Sequence, residues 1–114
     1  MKERGAFWKV HRAEAVKIPP EVKKRVAERD SFDGWPCCIL CGSTQGQPNA
    51  HVIPRSDNGL GIEENIVTLC WNCHQKYDNS EERMKLREEI IFYLRKFYPD
   101  WSEEKARYKK WSLG

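Results

Sequence analysis

The chain has 114 residues, 32% of them charged, and a mean hydropathy of −0.80, which predicts one domain with a core small enough to benefit from a structural metal. No apolar run approaches the roughly 20 residues of a membrane helix, and Met1-Lys-Glu-Arg-Gly-Ala-Phe-Trp8 lacks the apolar stretch of a secretory signal, so a cytoplasmic, reducing setting is expected, where cysteines bind metal more often than they pair. The net charge of +3 divides into +4 over residues 1–30, −3 over 31–79 and +2 over 80–114; an acidic centre suits a cation and basic flanks suit a polyanion, although such runs are also ordinary solvated helix faces.

Residues 1–19 read as a basic N-terminal arm or short helix. Pro19-Pro20 then open a helix to Arg29, with Val22 and Val26 on one face. Asp30, Ser31, Asp33, Gly34 and Pro36 end it and lead into Cys37. After a turn-rich stretch, Gly42–Asn49, Ala50–Ile53 reads as a short strand stopped by Pro54, and Asn65–Leu69 as a second strand, with Asn58-Gly59 a turn signal in the loop between. A helix follows from Trp71 to about Tyr77. Ser80 is expected to cap the next helix, which runs to about Phe97 with Leu86, Ile90, Leu94 and Phe97 as its apolar stripe. Pro99 ends it, and Ser102 caps a last short helix over 103–110. The organisation predicted is an arm (1–19), a core (20–79) and a helical tail (80–114) packed on that core.

Cys38-Ile-Leu-Cys41 and Cys70-Trp-Asn-Cys73 are two Cys-x-x-Cys pairs with 28 residues between them. Two such pairs supply four sulfurs to one tetrahedral zinc, and a closed four-sulfur shell is structural. Cys37 is an alternative to Cys38, but the two-residue gap of the second pair favours Cys38.

Between the pairs stand Ala50-His51-Val52-Ile53-Pro54-Arg55-Ser56 and Glu64-Asn65-Ile66-Val67-Thr68-Leu69-Cys70, and the second pair ends in Cys73-His74. This order of His, Asn and His, threaded through the cysteine pairs and preceded by Arg29, resembles the HNH endonucleases over residues 22 to about 79. Tyr98-Pro-Asp-Trp101 in the tail is similar to small phage-encoded members. The resemblance implies an α+β fold: a ββα-metal motif, two strands and one helix around a divalent ion, with a four-cysteine zinc knuckle and flanking helices. It implies that His51 is the general base, that Asn65 orients it by a hydrogen bond, and that His74 binds the catalytic ion, with Mg²⁺, Mn²⁺ or Ni²⁺ as candidates. Asp78, four residues after His74 and on the same helix face, stands where many family members have a second metal-binding histidine and is expected to give that ion a carboxylate oxygen, with Tyr77 a weaker candidate. Arg55 is the expected phosphate contact. The chain departs from the family at Ala50: the residue before the base is commonly Asp or His and binds the ion. The shell then rests on His74, Asp78, phosphate oxygens and water, unless Asn49 or Asp57 reaches in, and weak metal binding without DNA is expected.

The expected activity is metal-dependent hydrolysis of DNA phosphodiester bonds, by nicking or double-strand cleavage, with contacts mainly to the backbone through Lys23, Lys24, Arg25, Arg29, Arg95, Lys96, Arg107, Lys109 and Lys110. Similarity to the phage proteins suggests DNA packaging or maturation beside a terminase. The rival expectation is a catalytically weak zinc-ribbon module that binds DNA or a protein. Of the five tryptophans, most are expected in the core or at the zinc site.

Overall fold

The structure is a computed structural model that describes residues 11–109. The first ten residues of the arm, with Trp8, and the end of the tail, with Lys110 and Trp111, lie outside the described residues.

Helix α1 occupies residues 11–16, and α2 spans Pro20–Arg29. Proline is tolerated at the first helical position because its missing N–H needs no partner there. Val22 and Val26, four apart, bury the inner face of α2 against Ile66, with Ile18 alongside. A tight hairpin follows, β1 (Ser31–Phe32) and β2 (Trp35–Pro36), paired antiparallel. Asp33 and Gly34 both take positive φ, 54° and 81°, as a two-residue hairpin turn demands, and Asp-Gly is a sequence that supplies it. The segment expected only to end α2 is therefore a hairpin, and Trp35 at its tip is exposed rather than in the core.

Strand β3 (Gln47–His51) pairs antiparallel with β4 (Ile66–Leu69) in the register Gln47 to Leu69, Ala50 to Val67 and His51 to Ile66, with a bulge between Gln47 and Ala50. All four residues of β4 are buried. Strand β3 starts and ends earlier than the apolar run Ala50–Ile53 suggested. The reason is Asn65: its side chain takes both the N–H and the carbonyl of Ile53, so Ile53 leaves the ladder. Helix α3 (Trp71–Asn79) follows β4 directly, its N-terminus capped by the Cys70 sulfur, which accepts from Cys73 N.

Helix α4 (Arg83–Leu94) is shorter at both ends than expected. Ser80 accepts from Glu82 N ahead of the helix, and Phe97 lies past its end, 45% exposed, because residues 96–98 close as tight turns onto Tyr93 and Leu94. Ile90 and Leu94 carry the apolar face into one cluster with Val52, Ile53, Val67, Leu69, Tyr77 and Trp101. Helix α5 (Glu103–Ala106) is capped by Ser102 as expected. The order β3–β4–α3 with helices on either side is the α+β, ββα-metal arrangement.

Candidate active site

The zinc knuckle is built by the segment after β2 and by the start of α3. Cys38 N donates to Ser43 O and Gly42 N to Cys38 O, which curls residues 38–43 into a turn, and Ile39 N donates to Thr68 O, which pins that turn to β4. The Sγ atoms of Cys38, Cys41, Cys70 and Cys73 all lie within 4.8 Å of one another, with Cys41 and Cys70 sulfurs 3.6 Å apart. Four thiolates around a tetrahedral zinc at about 2.3 Å stand roughly 3.8 Å apart, so the donor set fits that ion. Burial pushes the Cys38 thiol up, but hydrogen bonds involving Cys70, Cys41 and Leu40 outweigh it and bring the thiol down to about 7. Cys73 is pushed well above the usual thiol range by burial and by the neighbouring sulfurs; sulfurs this crowded resist carrying several charges without a cation. Cys37 is not in the cluster, and its thiol donates to Trp35 O; the cysteine that joins the other three sulfurs is Cys38. Trp71 beside the knuckle is exposed, whereas Trp101 is buried with its indole N–H on Glu64 O.

The second centre is a cleft of about 570 Å³ lined by residues that include His51, His74, Asp78, Arg55 and Asn49. Strand β3 carries His51 at its end, and α3 presents His74 and Asp78 four residues apart, with His74 Nε2 3.4 Å from Asp78 Oδ2. The His74 side chain is part of the cleft and not of the four-sulfur cluster. Tyr77 is excluded as a ligand: it is buried, donates to Val52 O at 2.5 Å and accepts from Arg87 Nε at 2.8 Å. Asp57 is not among the residues that line the cleft.

Alternation along β3 separates two neighbours. Ala50 is fully buried in the core, while Asn49 is exposed and faces the cleft. The bulge between Gln47 and Ala50 falls at this point, and bulges re-aim side chains beside sites. Sequence reading left Asn49 and Asp57 equal; the fold separates them. It missed Lys17, which lines the cleft with Lys23 because the α1–α2 connection folds back over it; only tertiary packing carries that signal.

Asn65 acts differently from expectation. It is fully buried, accepts from Ile53 N at 2.8 Å and donates to Ile53 O and Leu60 O at 3.2 and 2.9 Å. Its amide is occupied by the β3–β4 loop, and no hydrogen bond runs from it to the His51 ring among the described residues. It fixes the loop that leaves His51, not the ring itself.

The His51 ring is half-buried, with Nε2 2.9 Å from the carbonyl oxygen of Val16. Burial lowers its pKa from the ordinary histidine value, the hydrogen bond to Val16 opposes that, and the charges of Arg55 and His74 add to the lowering. A neutral imidazole at neutral pH is the form that accepts a proton.

Known proteins point the same way. The family model for HNH endonuclease matches residues 38–80, a span that holds both cysteine pairs, His51, Asn65, His74 and Asp78. Anaredoxin of Nostoc sp. (strain PCC 7120) is 30% identical over 67 residues, which cover 58% of this chain and 83% of that protein. With the ββα arrangement and the four-cysteine cluster on the same segment, the chain belongs to the HNH endonuclease family.

Proposed function

We propose that this chain is a divalent-metal-dependent endonuclease that hydrolyses DNA phosphodiester bonds, with residues 20–79 as the nuclease core and 80–114 as a helical tail packed on it. The observation that carries the reading is the convergence of His51 with a second histidine, a carboxylate and three cations on one open cleft. His51 takes a proton from the attacking water, and its lowered pKa keeps it neutral for that role. His74 and Asp78 would hold the divalent ion, with Asn49 as the nearby oxygen donor where Ala50 has turned into the core. When bound, that ion supplies charge neutralisation on the scissile phosphate and on the leaving oxygen. Arg55, Lys17 and Lys23 offer positive charge to the flanking phosphates. Asn65 holds the loop after His51 in register.

The test is incubation of supercoiled plasmid with Mg²⁺, Mn²⁺ or Ni²⁺, comparing the full chain with His51→Ala. Cleavage by the wild type and a loss of at least about a hundredfold in the variant is expected. Absence of cleavage with every ion defeats the enzyme reading, and equal cleavage by both proteins removes His51 as the base.

A second reading, a zinc-framed DNA- or protein-binding module without catalysis, is favoured by one observation: among the described residues, the four cysteines are the one group of three or more His, Cys, Asp or Glu side chains close enough to share an ion. The tail residues that suggested a packaging terminase are used inside the fold: Trp101 donates to Glu64 O and Tyr98 OH to Glu63. The partner proposed is accordingly DNA.

A further inference from the structure

We infer that Tyr77 is a positioning residue that sets α3, with His74 and Asp78, at a fixed spacing from His51, and that α4 holds it in that role. This rests on the reading of His51 as the base and of His74 and Asp78 as holders of the ion. Helix α3 has 9 residues, about two and a half turns. Cys70 and Cys73 tie its first turn to the knuckle, and attachment at one end alone leaves a short helix free to pivot. Tyr77 stands four residues after Cys73, on the same side of α3 and one turn further along. It is 1% exposed, and its hydroxyl donates to Val52 O at 2.5 Å. Val52 is the residue after His51. The second fixing point of α3 is therefore the backbone that carries the base.

The chemistry of the groups fixes the direction of each bond. An arginine only donates, so Arg87 Nε, at 2.8 Å, takes the phenol oxygen as its acceptor. The hydroxyl has one proton and a carbonyl only accepts, so that proton goes to Val52 O. Val52 is fully buried and its N–H is already used on Asn65 O at 2.8 Å. Arg87 is itself buried on α4. Arg83, one turn earlier on α4, and Arg87 each place Cζ 5.9 Å from the centre of the Tyr77 ring, within the roughly 6 Å reach of a cation–π contact. The tail helix thus holds the ring whose hydroxyl holds the end of β3.

The test compares the full zinc-loaded chain with Tyr77→Phe, Arg87→Met and the double variant, each well below its own unfolding midpoint. Phenylalanine keeps the ring and removes only the hydroxyl. Two quantities are read: the nuclear magnetic resonance signals of the ¹⁵N-labelled His51 ring, without a divalent ion in the cleft, and kcat and KM for nicking of supercoiled plasmid with Mn²⁺. Tyr77→Phe should retain its zinc, move the His51 ring signals and lower kcat about tenfold with KM within about twofold of wild type. Arg87→Met, which frees the hydroxyl to turn, should do the same. The double variant should be no slower than Tyr77→Phe, because one chain of bonds is broken once. A merely structural role would lower the unfolding midpoint and leave the kcat of the folded protein unchanged. Unmoved His51 ring signals in a zinc-retaining Tyr77→Phe, or a kcat within about twofold of wild type, overturns the inference. Losses in kcat that multiply in the double variant overturn the part given to α4. Should Tyr77→Phe fail to retain zinc, Arg87→Met is judged by the same two quantities with the same consequences. A wild type that cuts no DNA defeats the endonuclease reading, and the ring signals alone then decide whether Tyr77 sets the spacing.

Discussion

Arg29 and Asp30, adjacent in sequence, form a buried two-point ion pair, with Arg29 Nε 2.8 Å from Asp30 Oδ1 and Nη2 3.1 Å from Oδ2. Neither group is left with idle hydrogen-bonding capacity. Arg29 also donates to Glu63 O and Ile66 O, both at 2.7 Å. Asp30 accepts from Thr68 N at 2.9 Å and from Tyr93 OH at 2.7 Å. One pair thus ties α2 to the start of β4, to β4 itself and to α4. Removing either partner strands a buried charge, so Asp30→Ala should lower unfolding free energy by about 3–5 kcal/mol. Arg29→Lys should not rescue the fold, because an ammonium cannot reproduce the planar fork. Urea unfolding of zinc-loaded protein checks both; a loss under about 1 kcal/mol for Asp30→Ala would contradict the assignment.

The zinc assignment separates two adjacent cysteines. Cys41→Ser should reduce bound zinc well below one per chain and unfold the knuckle, since structural zinc contributes folding free energy directly. Cys37→Ser should retain zinc at the wild-type level, because the Cys37 thiol is engaged with Trp35 O outside the cluster. Metal analysis after metal-free purification distinguishes the two, and zinc loss in Cys37→Ser would move the ligand by one residue.

Asn65 makes three hydrogen bonds to the loop backbone, the two to Ile53 buried and the one to Leu60 O part-buried. Asn65→Ala leaves Ile53 N, Ile53 O and Leu60 O without those partners, and a cost of roughly 3 kcal/mol or more is expected. Asn65→Asp keeps the acceptor for Ile53 N but removes the donor and buries a charge, so it should be no better. Cleavage should fall in both, through displacement of the loop beside His51, and thermal unfolding reads the stability loss independently. Wild-type stability in Asn65→Asp would show that the two donated bonds contribute nothing.

These residues also explain what the sequence made legible. The cysteine spacing, the Cys-His junction and the helix after Cys70 are local patterns, and each stands where the pattern implies: the sulfurs cluster, Cys70 caps α3, and His74 and Asp78 share one face. The Asp33-Gly34 hairpin was legible in principle, because positive φ at two successive positions selects that dipeptide. What was not legible depends on contacts far apart in the chain. Nothing in Pro-Arg-Ser after Ile53 tells that Asn65, twelve residues on, ends β3 by taking Ile53's backbone groups. Nothing in the arm tells that Val16 meets His51 across 35 residues. Arg29, which its charge places among the DNA contacts, is instead held in the buried pair with Asp30, and its backbone partners lie 34 and 37 residues away. Residue type alone places Trp35 and Trp71 in the core or at the zinc site; Trp35 is exposed on the hairpin, and Trp71 stands beside the knuckle in the first turn of α3 but exposed.

The pH dependence follows from His51. Burial lowers its pKa below the ordinary 6.5, with Arg55 and His74 adding to the effect. As pH falls, the unfolded chain takes up this proton first. The group's contribution to stability is therefore complete above about 6.5 and is lost as pH falls through the folded-state value. The base works only when neutral, so the acidic limb of kcat/KM should lie below 6.5. A pH–rate profile checks the limb, with bound zinc measured at each pH to separate loss of the knuckle. A limb above 6.5 would contradict the buried, positively flanked setting. His51→Gln should flatten the corresponding slope of stability against pH.

Restoring the family's usual residue before the base should fail here. Ala50 is fully buried, in one core cluster with Val52, Val67 and Leu69. A carboxylate at that position would be buried among aliphatic side chains, so Ala50→Asp should destabilise the protein by several kcal/mol instead of strengthening ion binding. Beside His51, the side chain of β3 that reaches the cleft is Asn49, and its amide oxygen is a suitable donor for Mn²⁺ or Mg²⁺. Asn49→Ala should therefore weaken Mn²⁺ binding without DNA by roughly tenfold, and Asp78→Ala by more, because a charged donor is lost. Titration calorimetry with Mn²⁺ on zinc-loaded protein reads this without recourse to cleavage. Unchanged Mn²⁺ affinity in Asn49→Ala, with zinc and fold retained, would leave His74 and Asp78 as the protein's entire share of the shell.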